Sequence, residues 1–406
     1  MNKIVIRGSF WDSYIYSNSL ILYKFDGTLE SFDWEKLICS RISKSERDFL
    51  AYQCSFLNGD YLYGVAAKDL FYDIDIKSII RSKFRRIKDI SFDCNDLQKF
   101  TTCKSKIEMD ELPIDMGVYN NTLYYCKSSG VFKRNLRRNN DSQYISTKEH
   151  KIWDGKVQCL KVGRRGRIAL SASSDGLFEL NSMYNPYNLN EDYRSLVHRE
   201  RIIPVSTEHS SYCSWSFSSM FSGSYEGIFF LNGLKYVKDP EARFAYDIDS
   251  DYMLKFCGTY REKDIFHNQI NNALIVSGNE KIYRITNNQI EIVKFTQKNL
   301  ASEDEIFNYL NSLQHGIIEK ILVAEVTDFG IIIETSRRLY VLQSNGELIL
   351  INPTEEVVKW RVYPRSIQYT NQLHVIYNDR MEILSFNDDY FENQEKKLFG
   401  YRHTDL

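Results

Sequence analysis

The chain has 406 residues, 43% hydrophobic and 26% charged, with a formal net charge of −2. This composition excludes a disordered or collagen-like chain and supplies enough apolar surface for a large core. The near-neutral balance leaves no global field to gather nucleic acid or an anionic membrane, so any such attraction must be local.

Tyrosine and phenylalanine are abundant and proline is scarce, a bias toward half-buried pleated strands. Ile4–Arg7 reads as an inner strand, followed by strands at Ser13–Tyr16 and Leu20–Tyr23. Asp26-Gly27 then turns the chain into Thr28–Trp34, since Asp-Gly between apolar runs tolerates the positive φ of a tight hairpin. The same unit, an apolar strand, a tight polar turn and a second strand opening on an aliphatic residue, is expected eight times. Its anchors are Leu20, Leu70, Val131, Leu177, Ile228, Ile282, Leu339 and Met381. Glycine marks the clearest copies: Ser128-Ser129-Gly130-Val131-Phe132, Ser174-Asp175-Gly176-Leu177-Phe178 and Tyr225-Glu226-Gly227-Ile228-Phe229. Asn345-Gly346 lies as far beyond Leu339 as Asp26-Gly27 lies beyond Leu20, which points to one shared template. Runs apolar on both faces, such as Ala273–Val276 and Ile331–Ile333, suit strands covered on both sides.

Three stretches break the pattern. Residues 77–112 lengthen one link and carry Arg81, Lys83, Arg85, Arg86 and Lys88. Residues 183–208 hold Asn185-Pro186-Tyr187-Asn188 and then Arg194, Arg199 and Arg201. Residues 296–316 contain a helix, expected over 303–314, capped by Ser302 and Glu305 and stopped at Gly316. Ile306, Leu310 and Leu313 would share its apolar face, which either covers the sheets or receives a partner. Residues 388–406 are expected to supply an outer strand and a tail.

Strand units recurring about every 52 residues, with Ser-Asp-Gly-Leu-Phe turns at 174–178 and relatives from residue 4 to 386, resemble β-propeller repeat proteins in general. The regular Gly-His and Trp-Asp pairs of a WD40 array and the Gly-Gly doublets of a kelch array are both missing, so no narrower family follows. The resemblance implies an all-β single propeller of four-stranded blades over residues 1–387, with eight blades favoured over seven and one short helical insertion. It also implies a rigid platform whose loops bind partners. Two or three separate sandwiches would share the strands but not the steady spacing.

The eight cysteines are scattered singly, without a CxxC pair, which reads as buried reduced thiols of a cytoplasmic protein. Arg7 interrupts the one apolar stretch at the N-terminus, so no secretory signal is read, and no run is long enough to span a membrane. The seven histidines form no HxH or HExxH pattern, so neither a metal nor a cofactor is expected. Asp73-Ile74-Asp75 and Asp247-Ile248-Asp249, with Asp251, alternate as strand carboxylates would. They could hold calcium or serve a sugar hydrolase, although plain solvation is the simpler expectation. The arginines carry more. Arg134, Arg137 and Arg138, with Arg164, Arg165 and Arg167, are expected to open on one face beside Tyr125 and Tyr144. Such a face suits an acidic protein segment or a phosphate backbone. The expected function is a non-enzymatic scaffold or adaptor that binds a protein partner through loops on one face. The alternatives are a nucleic-acid-binding accessory subunit and a hydrolase or lyase with a channel site.

Overall fold

The structure is a computed structural model. It describes the chain except residues 45–46, 64–69, 71–72, 107–110, 140–141, 147, 164–165, 183–200, 217–218, 225–228, 239–251, 271–272, 279, 296–305, 388–398 and 400–406.

Seven sheets follow one another along the described chain, and each is one blade. β1 (Asn2–Arg7) stands apart from the first of them. The first blade runs through β2 (Phe10–Tyr16), β3 (Ser19–Lys24) and β4 (Thr28–Asp33). A helical insertion that also holds β5 (Ile90–Phe92) precedes its fourth strand, β6 (Thr101–Lys106). The second blade is β7 (Asp115–Tyr119), β8 (Thr122–Lys127) and β9 (Gly130–Asn139). The far half of β9 pairs with β10 (Ser142–Ile145) and its near half with β11 (His150–Trp153). The third comprises β12 (Cys159–Val162), β13 (Arg167–Ser171), β14 (Leu177–Asn181) and β15 (Arg201–Ser206). The fourth comprises β16 (Tyr212–Ser216), β17 (Ser219–Gly223), β18 (Phe229–Lys238) and β19 (Tyr252–Arg261). The fifth follows with β20 (Leu274–Gly278), β21 (Lys281–Ile285), β22 (Gln289–Phe295) and β23 (Phe307–Gln314). The sixth is β24 (Ile321–Val326), β25 (Ile331–Thr335), β26 (Leu339–Leu342) and β27 (Leu348–Leu350). The seventh has β28 (Lys359–Val362), β29 (Gln372–Ile376) and β30 (Arg380–Ser385), and β1 returns as its fourth strand. β5 lies parallel on the outer edge of β1.

Seven blades replace the expected eight, because the second anchor is false. Leu70 is helical and exposed, within the insertion rather than on a strand. Ile4–Arg7 is not an inner strand but the fourth strand of the last blade. The apolar helix expected over 303–314 is not formed among the described residues of that range. Phe307–Gln314 is the extended strand β23 paired with β22, and the capping pair Ser302 and Glu305 lies outside the described residues. A bulge between Ile292 and Val293 admits Leu310 as an extra residue, so the spacing of 306, 310 and 313 matches a helical face by coincidence. The anchors also mix two positions. Leu20 and Ile282 sit on second strands, whereas Val131, Leu177, Leu339 and Met381 sit on third strands; Ile228 lies outside the described residues. The matched Asp-Gly and Asn-Gly turns join different strand pairs, β3 to β4 and β26 to β27. Any tight antiparallel hairpin asks for the same turn chemistry, so equal offsets did not prove equal places.

The glycine copies have a physical cause. Gly130 and Gly176 both take positive φ, and a side chain on either would collide with backbone of the same blade's last strand. The obstacles are the Trp153 carbonyl of β11 and the Ser206 carbonyl of β15.

The chain divides into two compact units. One comprises residues 1–112, 136–147 and 315–406 and holds the first, sixth and seventh blades. Ile331, Ile332 and Ile333 of β25 are all fully buried, as expected of a sheet covered on both faces. The first and seventh blades are joined by a buried charge cluster. Asp12 of β2 takes two hydrogen bonds from Arg361 of β28, at 2.5 and 2.6 Å, and pairs with Lys359 at 2.8 Å. Beside it, Ser13 Oγ and Tyr363 Oη lie 3.1 and 3.2 Å from His374 Nδ1. Thr370 donates to Asp328 at 2.7 Å, tying the seventh blade to the sixth.

The other unit comprises residues 113–135 and 148–314, and the first strands of its blades are stitched in sequence. Leu160 N of β12 donates to Asp115 of β7 at 3.0 Å, Trp215 Nε1 of β16 to the Lys161 carbonyl at 2.8 Å, and Ser277 Oγ of β20 to the Trp215 carbonyl at 3.3 Å. Each bond fixes one sheet to the next and satisfies a polar group that the stack would otherwise bury unpaired.

Candidate interaction surface

The insertion between β4 and β6 begins at α1 (Trp34–Cys39), where the Asp33 side chain accepts from Lys36 N at 3.0 Å. α2 (Phe49–Tyr52) leads directly into a π-turn over Gln53–Leu57, followed by α3 (Asp60–Tyr63). α4 (Ile74–Phe84) starts at Asp73, whose carboxylate accepts from Asp75 N and Ile76 N. α5 (Cys94–Gln98) starts on a capping box of Asp93 with Asp96, and Asp96 also holds Arg41 at 2.5 Å. The pair Asp73 and Asp75 is therefore the start of a helix, not two carboxylates on one strand face. Asp247, Asp249 and Asp251 lie outside the described residues. Among the described residues no three His, Cys, Asp or Glu side chains stand close enough to share an ion.

The inner side of the insertion is fixed firmly. Phe56, Leu62, Phe84, Ile87, Ile90 and Phe92 join the core cluster of Ile4, Ile6 and Phe10. Trp34 Nε1 donates to the Phe56 carbonyl at 2.6 Å. Buried amides of the seventh blade grip the π-turn: Gln372 Nε2 donates to the Ser55 and Phe56 carbonyls, both at 3.1 Å, and Asn387 Nδ2 to Ser55 Oγ at 2.7 Å. Gly59 N adds a bond to the Gln368 carbonyl at 2.8 Å. The insertion of the first blade is thus clamped onto the last, inside one unit.

Its outer side is left apolar and basic. Of the twelve large hydrophobic side chains exposed among the described residues, five belong to this insertion: Leu50, Tyr61, Leu70, Ile74 and Ile79. Ile74 is 79% and Ile79 57% exposed. On α4 the exposed positions Ile74 and Ser78 form one row and Asp75 and Ile79 the next. Arg85, Arg86 and Lys88 are exposed at the end of the helix, where cations complement its dipole. Between Asp73 and Lys88 six cations face two carboxylates. Phe84 and Ile87 turn inward and are buried, so this outward face is held on a fixed base.

Two of the six arginines of the expected face, Arg134 and Arg167, are buried. Arg134 is buried, donates to Tyr125 Oη at 3.1 Å and pairs with Glu149 at 3.5 Å, while Tyr125 itself donates to Glu149. Arg167 is 2% exposed and makes a two-pronged pair with Glu179, both contacts 2.7 Å, with its guanidinium 4.7 Å over the Trp215 ring. Arg137 and Arg138 lie on β9 opposite Tyr144 and Gln143; their side chains, like Arg164 and Arg165 altogether, fall outside the described residues. The fifth blade repeats the buried arrangement. Arg284 of β21 holds Glu291 of β22, directly opposite it, and Glu262, over the Phe266 ring. A signal for this was present in the sequence: Arg167 and Arg284 each have a glutamate on the next hairpin strand. Of the expected partner-helix residues, Ile306 packs against the unit's core, Leu313 is half-buried and Leu310 is exposed on the edge strand.

A serine and a histidine do meet at Ser13 and His374, but both are 0% exposed. Burial, with the Arg361 guanidinium nearby, holds the His374 ring down to a pKa of about 3. The neutral ring accepts at Nδ1 and faces Gln372 through Nε2, knitting two blades where no substrate reaches.

No protein-family model and no curated protein sequence matches the chain. Solved structures do. The β-propeller domain of Cps50 (Swd1) from Myceliophteria thermophila is similar over 93% of this chain and 96% of that one, at 10% identity and a TM-score of 0.50. The fold is a seven-bladed β-propeller. The WD40 domain of Pan2 from Neurospora crassa is also similar, at 9% identity over 93% of this chain and 91% of that one, with a TM-score of 0.44. Identities this low speak for the propeller alone and leave function to the residues. No helix among the described residues is long and apolar enough to cross a membrane.

Proposed function

We propose that this chain is a non-enzymatic, cytoplasmic propeller scaffold that binds a protein partner through the helical insertion of its first blade. The observation that carries this reading is the concentration of Leu50, Tyr61, Leu70, Ile74 and Ile79, all exposed, beside Arg85, Arg86 and Lys88. Exposed apolar side chains gathered in one insertion favour an interaction site, and arginine is enriched in protein interfaces. The charge selects the partner: a segment that mixes apolar anchors with acidic side chains complements the face, whereas a basic one is repelled. Scattered single cysteines support the cytoplasmic assignment.

The test compares the full chain with two double variants, Ile74→Glu with Ile79→Glu and Arg85→Glu with Arg86→Glu, in capture of partners from the source cells. Ile318→Glu, at an exposed apolar position outside the insertion, is the control. Loss of the same partner in both double variants but not in the control, with melting temperatures unchanged, supports the reading. Surface changes of this kind stay within about 0.5 kcal/mol. Full retention by both double variants refutes it. Binding that is instead RNA-dependent and falls steeply with salt would assign the cations to phosphates.

A further inference from the structure

Two cysteines meet in the middle of the other unit. Cys159 lies on β12 and Cys213 on β16, the first strands of the third and fourth blades. Cys159 Sγ is 3.7 Å from the Cys213 carbonyl oxygen, and Cys213 Sγ is 3.8 Å from the Cys159 carbonyl oxygen. This reciprocal contact makes the two side chains neighbours between the third and fourth blades, and nearness is the first condition a disulfide sets. The thiols of Cys103 and Cys126 donate to the Ile145 and Asp115 carbonyls.

We propose that Cys159 and Cys213 are an oxidation site, forming a reversible disulfide that staples the third blade to the fourth when a low-molecular-weight disulfide oxidant is present. Cys159 is the entry point, because it is half-buried while Cys213 is fully buried. The Cys159 thiol releases its proton to water, and the thiolate attacks one sulfur of the oxidant. The oxidant's S–S bond breaks, and one small thiolate leaves and takes up a proton. Cys213, deprotonated in turn, attacks Cys159 Sγ in the mixed disulfide and expels the second small thiolate, which is also protonated. Two protein thiols are oxidised and one small disulfide is reduced to two thiols. Burial, followed by the Cys159 contact, pushes the Cys213 thiol well above its ordinary pKa. The second step is therefore slow, and the site answers sustained oxidation rather than a brief pulse.

The experiment incubates the full chain with oxidised glutathione, then maps disulfides by mass spectrometry of an unreduced digest. Exposed Cys94 reports that the oxidant has acted. The expected result is a Cys159–Cys213 cross-linked peptide pair with the loss of two hydrogens, reversed by dithiothreitol. A melting temperature several degrees higher should accompany it, because the bond closes a long loop. Cys159→Ser should abolish both the pair and the shift. Cys94 carrying glutathione while Cys159 and Cys213 stay free, or carry separate adducts, overturns the proposal. So does Cys213 linked to any other cysteine. The wild-type map decides the matter even if the serine variant folds poorly.

Discussion

Replacing His374 by glutamine tests how the first and seventh blades are held together. The folded ring stays neutral down to a pKa of about 3, against an ordinary 6.5. The unfolded chain therefore takes up a proton that the folded chain refuses, and stability falls as the pH drops from 6.5 toward 3; above 6.5 this contribution is fully present. At about pH 5 the free side chain lies about 1.5 pH units below its midpoint, and about 1.4 kcal/mol per pH unit makes the penalty about 2 kcal/mol. Glutamine can still accept from Ser13 and Tyr363 but does not titrate. The variant should be somewhat less stable near neutrality, yet lose about 2 kcal/mol less than the native chain between about pH 7.5 and pH 5. Urea unfolding across that range, followed by tryptophan fluorescence, measures the difference directly. Groups common to both proteins, Asp12 among them, cancel in the comparison. Parallel stability curves for the two proteins would show that His374 is protonated in the folded state and that the seam is built differently.

Asp12→Ala should cost about 3–5 kcal/mol, because Arg361 and Lys359 are left partly buried without their carboxylate; a loss below about 1 kcal/mol in urea would contradict the burial described here. These cations, against the cost of burial, hold the Asp12 carboxyl below its ordinary pKa, so its stabilisation should persist above pH 3.8 and fade only in stronger acid. Gly176→Ala should destabilise by about 1–3 kcal/mol, through both its positive φ and the Ser206 carbonyl. Gly316→Ala, with nothing near the added carbon, should be close to neutral in the same thermal melt.

The strands were legible because their signals are local: apolar pairs flanking Gly130, Gly176, Gly27 and Gly346 announce hairpins wherever they fall. Which hairpin belonged to which position in a blade was not legible, since the turn into β4 and the turn into β27 look alike. The eighth blade was an error of the same origin. Leu70 lies in a short apolar run, and such a run suits a helix as well as a strand until its partners are known. Arg134 and Arg167 misled for another reason. Arg167 becomes a buried residue only when Glu179 arrives from the neighbouring strand and Trp215 from the next blade. The interaction surface was half visible. The basic run from Arg81 to Lys88 was plain, but which isoleucines of the insertion face water depends on Phe84 and Ile87 taking the inward side.

β1 waits for a partner made almost a whole chain later. Residues 2–7 pair with residues 380–385, and at ribosomal speeds of about 5–20 residues per second those partners emerge about 20–80 s after β1 itself. Through that interval β1 is an open edge, the kind of strand that pairs with the wrong neighbour. β5 is made much earlier, and Ile90–Phe92 lies in register with Ile4–Ile6 on the other edge of β1. The insertion can thus chaperone its own chain: it occupies one side of the waiting strand and leaves the other free for β30. Variants that loosen β5 should then show their defect in the yield of newly made protein before any change in the stability of the finished molecule.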